Sequence, residues 1–292
     1  AAYNAPIAGA LFAALVLVGN FSMNLFAPLV MSSVVATMVS RFWFGIDPWY
    51  VLPESMNFDQ ATNFTSMLWF LILGITSGAS GAFFLKSIQK METISAKSPW
   101  PLWSKLGLAG FIVGIVALIF PGVWGNGYGI TNEILQANSD EKDFSGLLNG
   151  SILSELNIWK IPILLLAGLL IAKFITTVVA VGAGTVGGVF TPTLFLGAGL
   201  GAAFGQSLNY SNLAEGIPIA AFALVGMGSV LAATTRSPLF AIILIFEISL
   251  KYELMPPLMI GCVVATLVSR GLHKPSVYTA PLYQRGLEFD QE

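Results

Sequence analysis

Apolar residues run through this chain in long blocks separated by short polar breaks. The first five blocks cover residues 6–18, 22–40 (closed by Arg41), 64–85, 106–123 and 158–181, the last with Lys173 inside it. Runs of this length and apolarity predict helices that cross a bilayer, not amphipathic helices on a water-facing surface. The pattern then changes. Residues 190–204, 217–233, 238–250 and 254–268 form blocks that fall short of the ~20 residues a perpendicular span needs. Short segments punctuated by Gly and Pro predict discontinuous helices of the kind transporters use, with ends meeting near the membrane mid-plane. Small residues at helical spacing (Gly74 with Gly78, Gly110 with Gly114, Gly197 with Gly201) predict close backbone crossings.

Composition strengthens this reading. Hydrophobic residues make up 55% of the chain and charged residues 10%, against about 25% charged in a soluble domain. The mean hydropathy is +0.79. So few charges cannot cover a water-facing surface, so lipid is the expected solvent. The fold class is an all-α, polytopic integral membrane protein forming a single transmembrane domain. A net charge of −2 gives no reason to expect a nucleic-acid partner. One cysteine and one histidine make a His/Cys metal site improbable, and no cofactor is expected. Cys262 lies in an apolar run and reads as a small buried hydrophobe.

Charge in the loops sets an orientation. Lys86, Lys90, Lys97 and Lys105 cluster around one loop. Residues 42–63 carry Asp47, Glu54 and Asp59 without Lys or Arg, and residues 125–156 carry Glu133, Asp140, Glu141, Asp143 and Glu155 against Lys142. Positive charge stays inside, so the lysine loop is expected in the cytoplasm, together with the C-terminal tail bearing Arg270, Lys274 and Arg285. Trp43, Trp49, Tyr50, Trp69, Trp100, Trp103 and Trp124 fall at or near segment ends and are expected to anchor the interfaces. The chain opens Ala1-Ala2-Tyr3-Asn4-Ala5-Pro6, with neither Met nor a basic leader. It therefore reads as cut within a longer protein.

The strongest local signal is Gly184-Thr185-Val186-Gly187-Gly188-Val189-Phe190-Thr191-Pro192. Glycines permit unusual backbone angles and close ligand approach, and Pro suits a first helical turn. A helix starting here leaves its first N–H groups without intrahelical partners and adds the positive end of its dipole. At membrane depth that is an anion site needing no formal charge. The alternative is a Gly-rich helix crossing. Charges inside apolar runs also need an account. Lys173 either raises the local anion potential or pairs with a carboxylate or carbonyl. Arg236 begins a segment and is expected to snorkel to the interface. Glu247 reads as a structural, helix-end residue. A rival from another class is Gly78-Ala79-Ser80-Gly81, which has the GxSG form of rhomboid-type proteases. Its serine would need His273 as base, and the small-residue packing reading is preferred.

Several motifs in one order resemble the CLC family of chloride channels and proton/chloride exchangers. Gly187-Gly188-Val189-Phe190-Thr191-Pro192 is similar to its GxFxP signature. Ala1 to Gly9, Gly226-Met227-Gly228, Ala232 to Leu239, Leu244-Ile245-Phe246-Glu247 and Lys274-Pro275-Ser276-Val277-Tyr278-Thr279 resemble further stretches along nearly the whole chain. The resemblance implies an inverted-repeat fold of broken and tilted helices. Residues 1–105 would end the first repeat with its following helices, and 106–292 would hold the second repeat with its anion site. It implies that Gly188, Val189 and Phe190 face the anion through the backbone and Tyr278 through its hydroxyl. It implies chloride conduction rather than an enzyme, a homodimer with one pore per subunit, and a bacterial inner membrane. The family's serine ligand and gating glutamate would lie upstream, so no residue here takes the gate role and the isolated chain is not expected to conduct. Val16 falls where proton-coupled members carry an inner glutamate. An aliphatic group carries no proton, which favours channel-like or uncoupled conduction. A proton-coupled exchanger, or a relative selective for fluoride or nitrate, is the alternative.

Overall fold

A computed structural model describes residues 3–19, 21–45, 50–53, 56–136, 162–214, 216–274 and 276–278. Among these residues there are ten α-helices and no strand. They are α1 (Pro6–Leu11), α2 (Met23–Phe44), α3 (Phe64–Lys97), α4 (Leu102–Ile119), α5 (Tyr128–Gln136), α6 (Pro162–Gly182), α7 (Phe190–Tyr210), α8 (Ile219–Thr235), α9 (Pro238–Ser249) and α10 (Met255–Leu272). Five of them are long and apolar enough to cross a membrane: α2, α3, α4, α6 and α10.

The core is built around α8, every residue of which is buried. A helix apolar on all sides must be enclosed on all sides. Here α7, α3, α10 and α9 supply the enclosure. Glycine allows it. A Cβ at Gly197 would lie 2.5 Å from the Gly226 carbonyl oxygen, and one at Gly226 would collide with that of Gly197, so α7 and α8 touch backbone to backbone. The α3–α10 crossing is similar, with a Cβ at Gly74 falling 2.9 Å from Gly261 O and one at Gly78 falling 2.6 Å from Ala265 O. The expected crossing at Gly110 and Gly114 is not found. Both face open space on the outer side of α4.

Hydropathy misjudged several lengths for one reason: it stops where side chains turn polar, whereas a helix does not. α3 continues 34 residues to Lys97, about 51 Å at 1.5 Å per residue, carrying its lysines beyond the apolar stretch. α7 runs 21 residues rather than ending at 204, because its last turns hold Gln206, Ser207 and Asn209. After α1 the helix widens into a π-helical stretch over Phe12–Val18, closed by Gly19 at φ 68°. The apolar pattern gave no sign of it.

The aromatic anchors divide. Trp43, Trp100, Trp103 and Trp124 are exposed, as interface residues should be. Trp69 is half-buried against the core. Tyr50 is buried at 2% exposure, which overturns its reading as an anchor. Its ring is enclosed by Tyr3 and Tyr128. Trp49 lies outside the described residues, as do Asp47, Glu54, the charged residues of 137–156, and Arg285.

Candidate functional site

After α6 ends, Gly184 at φ +94° turns the chain. The carbonyls of α6 are met by Gly184 N–H on Val181 (3.0 Å) and by the Thr185 hydroxyl on Ala180 (2.7 Å). Residues 184–188 are exposed. A Cβ added at Gly187 or Gly188 would meet nothing within 4 Å, so the space beside this turn is open. α7 then begins with Val189 as N-cap (φ −88°, ψ −4°) and no side chain caps it. The first backbone bond of the new helix is Thr193 N–H to Val189 O at 3.0 Å. Pro192 has no N–H to offer. Among the described residues, no acceptor is recorded for the N–H groups of Gly188, Val189 or Phe190. Native helix starts usually fill this role with Ser, Thr, Asp or Asn. Here the donors stay available beside open space.

Two hydrophobic contacts fix this turn. Val189 is buried with Phe84 and Ile88, and Val277 packs on the same cluster. Phe190 sits among Tyr3, Phe12 and Phe240, with ring centroids 5.2, 6.4 and 6.0 Å away. Tyr278 reaches the same place from the end of the chain. Val277 N–H donates to Thr234 O at 3.1 Å, and the Tyr278 ring meets Phe12 edge-on at 5.6 Å. Burial pushes the Tyr278 phenol above its ordinary pKa, so it stays a neutral donor across the physiological range. Phe12 thus has Phe190 on one side and Tyr278 on another. Residues nearly 90 positions apart in sequence converge on one aromatic side chain.

The other candidates separate. Val16 lies in the π-helical stretch one turn beyond Phe12, half-buried against the core. Lys173 is 3% exposed; its Nζ donates to Val123 O (3.0 Å) and Gly125 O (2.8 Å) and lies 5.5 Å over the Phe195 ring. Of its two readings, the carbonyl partner is the one observed. Arg236 does not snorkel. It is 7% exposed, holds a left-handed backbone at φ 64° as C-cap of α8, and donates to the carbonyls of Ser269 (3.2 Å) and His273. The end of α10 offers it acceptors inside the fold, so it need not reach water. Glu247 is structural, as its position near the end of α9 suggested. Its carboxylate accepts the N–H groups of Ile7 (3.0 Å) and Ala8 (2.7 Å) and so caps α1. Ser80 lines an apolar cavity of about 410 Å³ with Phe83, Phe84, Leu170, Phe174 and Leu196, and no histidine is among its lining residues. That arrangement does not support a protease.

Reasoning from sequence missed Tyr3, Tyr128 and Thr191. Tyr3 Oη lies 2.7 Å from Thr191 Oγ1, and Tyr128 donates to Tyr3 Oη at 3.2 Å. Thr191 follows Phe190 directly, so this chain of hydroxyls ends on the first turn of α7. The only available signal was that Tyr3 and Thr191 both sit inside the recognised motifs.

The family profile described as "Voltage gated chloride channel" matches residues 1–270. The chain belongs to this family. Among its relatives, the "Putative chloride channel protein ClcB-like" of Ralstonia nicotianae is 36% identical over 282 residues, covering 96% of this chain and 59% of the relative. A "Voltage-gated ClC-type chloride channel ClcB" of Escherichia coli is 34% identical over 284 residues, covering 95% and 60%. The chain therefore spans about 60% of the length of these relatives. Solved structures share the fold. A slow cyanobacterial Cl−/H+ antiporter has a TM-score of 0.69 at 23% identity, over 97% of this chain and 61% of the other. A CLC-type fluoride/proton antiporter has a TM-score of 0.70 at 22% identity, over 94% and 60%. The fold is thus the CLC fold, all-α and membrane-spanning. The GxFxP-like turn falls inside the matched residues and Tyr278 falls beyond them.

Proposed function

We propose that this chain supplies an anion site to a transmembrane chloride pathway. The observation that carries the reading is the start of α7: uncapped N–H donors beside an open, glycine-lined turn. Backbone N–H groups at Gly188, Val189 and Phe190 are the proposed ligands, with the Tyr278 hydroxyl as a further donor. Neutral donors suit a permeant ion, which must be held strongly enough to shed water and weakly enough to leave. The names of the relatives, which are chloride channels, agree with this substrate.

We propose conduction without stoichiometric proton movement, because Val16 stands where a proton-carrying acid is expected in exchangers. Two solved structures of the same fold are proton antiporters by name, which makes exchange the reading to test against. The intact protein, reconstituted in liposomes, is expected to release chloride without a fixed ratio of protons. A chloride gradient that drives protons uphill at a constant ratio would refute the uncoupled reading. Absence of chloride binding and flux altogether would refute the anion site.

The proposed partners are the lipid bilayer and a second copy of the chain. α2 supports both, since only 6% of its apolar window is buried within the chain. The proposed location is a bacterial inner membrane with the basic end in the cytoplasm. In support, the lysine-bearing end of α3 and the end of α10 lie together, with Lys86 and Arg236 both bearing on His273.

A further inference from the structure

Three hydroxyls line up beside the α7 start. Tyr128 gives its proton to Tyr3 Oη at 3.2 Å. Tyr3 Oη and Thr191 Oγ1 share a second hydrogen bond at 2.7 Å, in which either oxygen can be the donor. The three groups form a continuous chain in which each bond polarises the next. The Tyr3 ring is held on three sides: stacked on Tyr50 at 6.5 Å and 11°, edge-on to Tyr128 at 6.2 Å, and tilted on Phe190 at 5.2 Å. Tyr50 is itself 2% exposed. A hydroxyl on so constrained a ring cannot drift, and it grips the residue after Phe190.

We propose that the Tyr128–Tyr3–Thr191 hydroxyl chain fixes the first turn of α7 and thereby sets which anion its free N–H groups accept, making Tyr3 a positioning residue for anion selectivity. The inference rests on the proposed anion site. Its physical basis is preorganisation. The helix start has no side-chain cap of its own, so its donor spacing depends on what holds the turn from outside. A turn held rigidly discriminates by ion size and shape, whereas a loosened turn adapts to a larger or planar ion.

The test uses the intact protein in detergent, titrated separately with chloride, bromide and nitrate by isothermal calorimetry, and then reconstituted for flux. Tyr3→Phe keeps the ring and removes the hydroxyl. It is expected to weaken chloride binding by about fivefold to tenfold and to bring the chloride and nitrate affinities closer together, with an unchanged melting temperature. Thr191→Val removes the same bond from the other side and is expected to match it; the double variant should add nothing. Tyr278→Phe acts from a separate contact, so its effect should add to that of Tyr3→Phe. If Tyr3→Phe impairs folding, Thr191→Val reads the bond alone. Variants that bind all three ions with wild-type ratios would overturn the inference while leaving the anion site standing. A uniform weakening of all three ions, or additivity between Tyr3 and Thr191, would also overturn it. A wild-type protein that binds none of the ions would sink the proposed site itself.

Discussion

At the scale of single residues, what a buried polar side chain touches separates a proposed ligand from a brace. Tyr278 has its phenol half-buried, with its ring edge-on to Phe12. Tyr278→Phe is expected to weaken chloride binding by roughly tenfold or more, the worth of one hydrogen bond to a charged group, measured by calorimetry. Lys173 is the contrasting case. Both of its recorded bonds go to carbonyls of the α4–α5 connection. Lys173→Met would leave two carbonyls unanswered, at a cost of about 1–3 kcal/mol. The expected result is a lower melting temperature with the chloride-to-nitrate ratio unchanged. His273 gives a pH dependence. Burial first, then the Arg236 and Lys86 charges, holds its pKa below the ordinary value of 6.5. The unfolded chain therefore takes up the proton first as pH falls. Stability is fully present above that value and declines on acidification. Melting curves between about pH 7 and about pH 5 should fall less steeply for His273→Asn than for the wild type.

Helix ends govern the element scale. α7 has no side-chain cap, whereas α1 borrows one from a distant helix through Glu247. The second arrangement satisfies two N–H donors and opposes the helix dipole with a full charge. Glu247→Ala is expected to destabilise by roughly 2 kcal/mol, and Glu247→Gln by less, because the amide oxygen still accepts. Thermal unfolding in detergent measures both. Ion ratios should be unaffected if Glu247 is a cap, and a Glu247→Ala variant with altered gating but wild-type stability would contradict that role. The helix start at the GxFxP-like turn was legible in sequence because its signals are local: glycines, and then a proline in the first turn. The cap on α1 was legible only as a structural role, since its partners lie some 240 positions away.

The whole molecule is organised by backbone contact between helices. α8 cannot be enclosed unless α7 approaches it at glycine distance. Gly226→Leu would drive a side chain into the Gly197 carbonyl. Overpacking at a backbone contact should cost about 3 kcal/mol or more, and loss of a cooperative melt is the expected outcome. The enclosed pair also carries the candidate site, because α7 begins at the GxFxP-like turn and the end of α8 holds the Val277–Tyr278 segment through Thr234. Conservative variants in this crossing, such as Gly197→Ala, are therefore expected to change anion affinity together with stability. Wild-type affinity in a destabilised Gly197→Ala variant would show that crossing and site are independent.

The sequence alone determined the solvent, the helical class and the turn at Val189, because each follows from residue type and short spacing. Too few charges require lipid, and glycines before a proline make an uncapped start. Tertiary structure decided which side chains meet. It turned Tyr50 inward, gave Arg236 carbonyls inside the fold, assigned Lys173 to a loop, and carried Tyr3 to Thr191 across 188 positions. A hydrogen bond depends on position in space, and in a bundle of crossing helices neighbours in space are rarely neighbours in sequence.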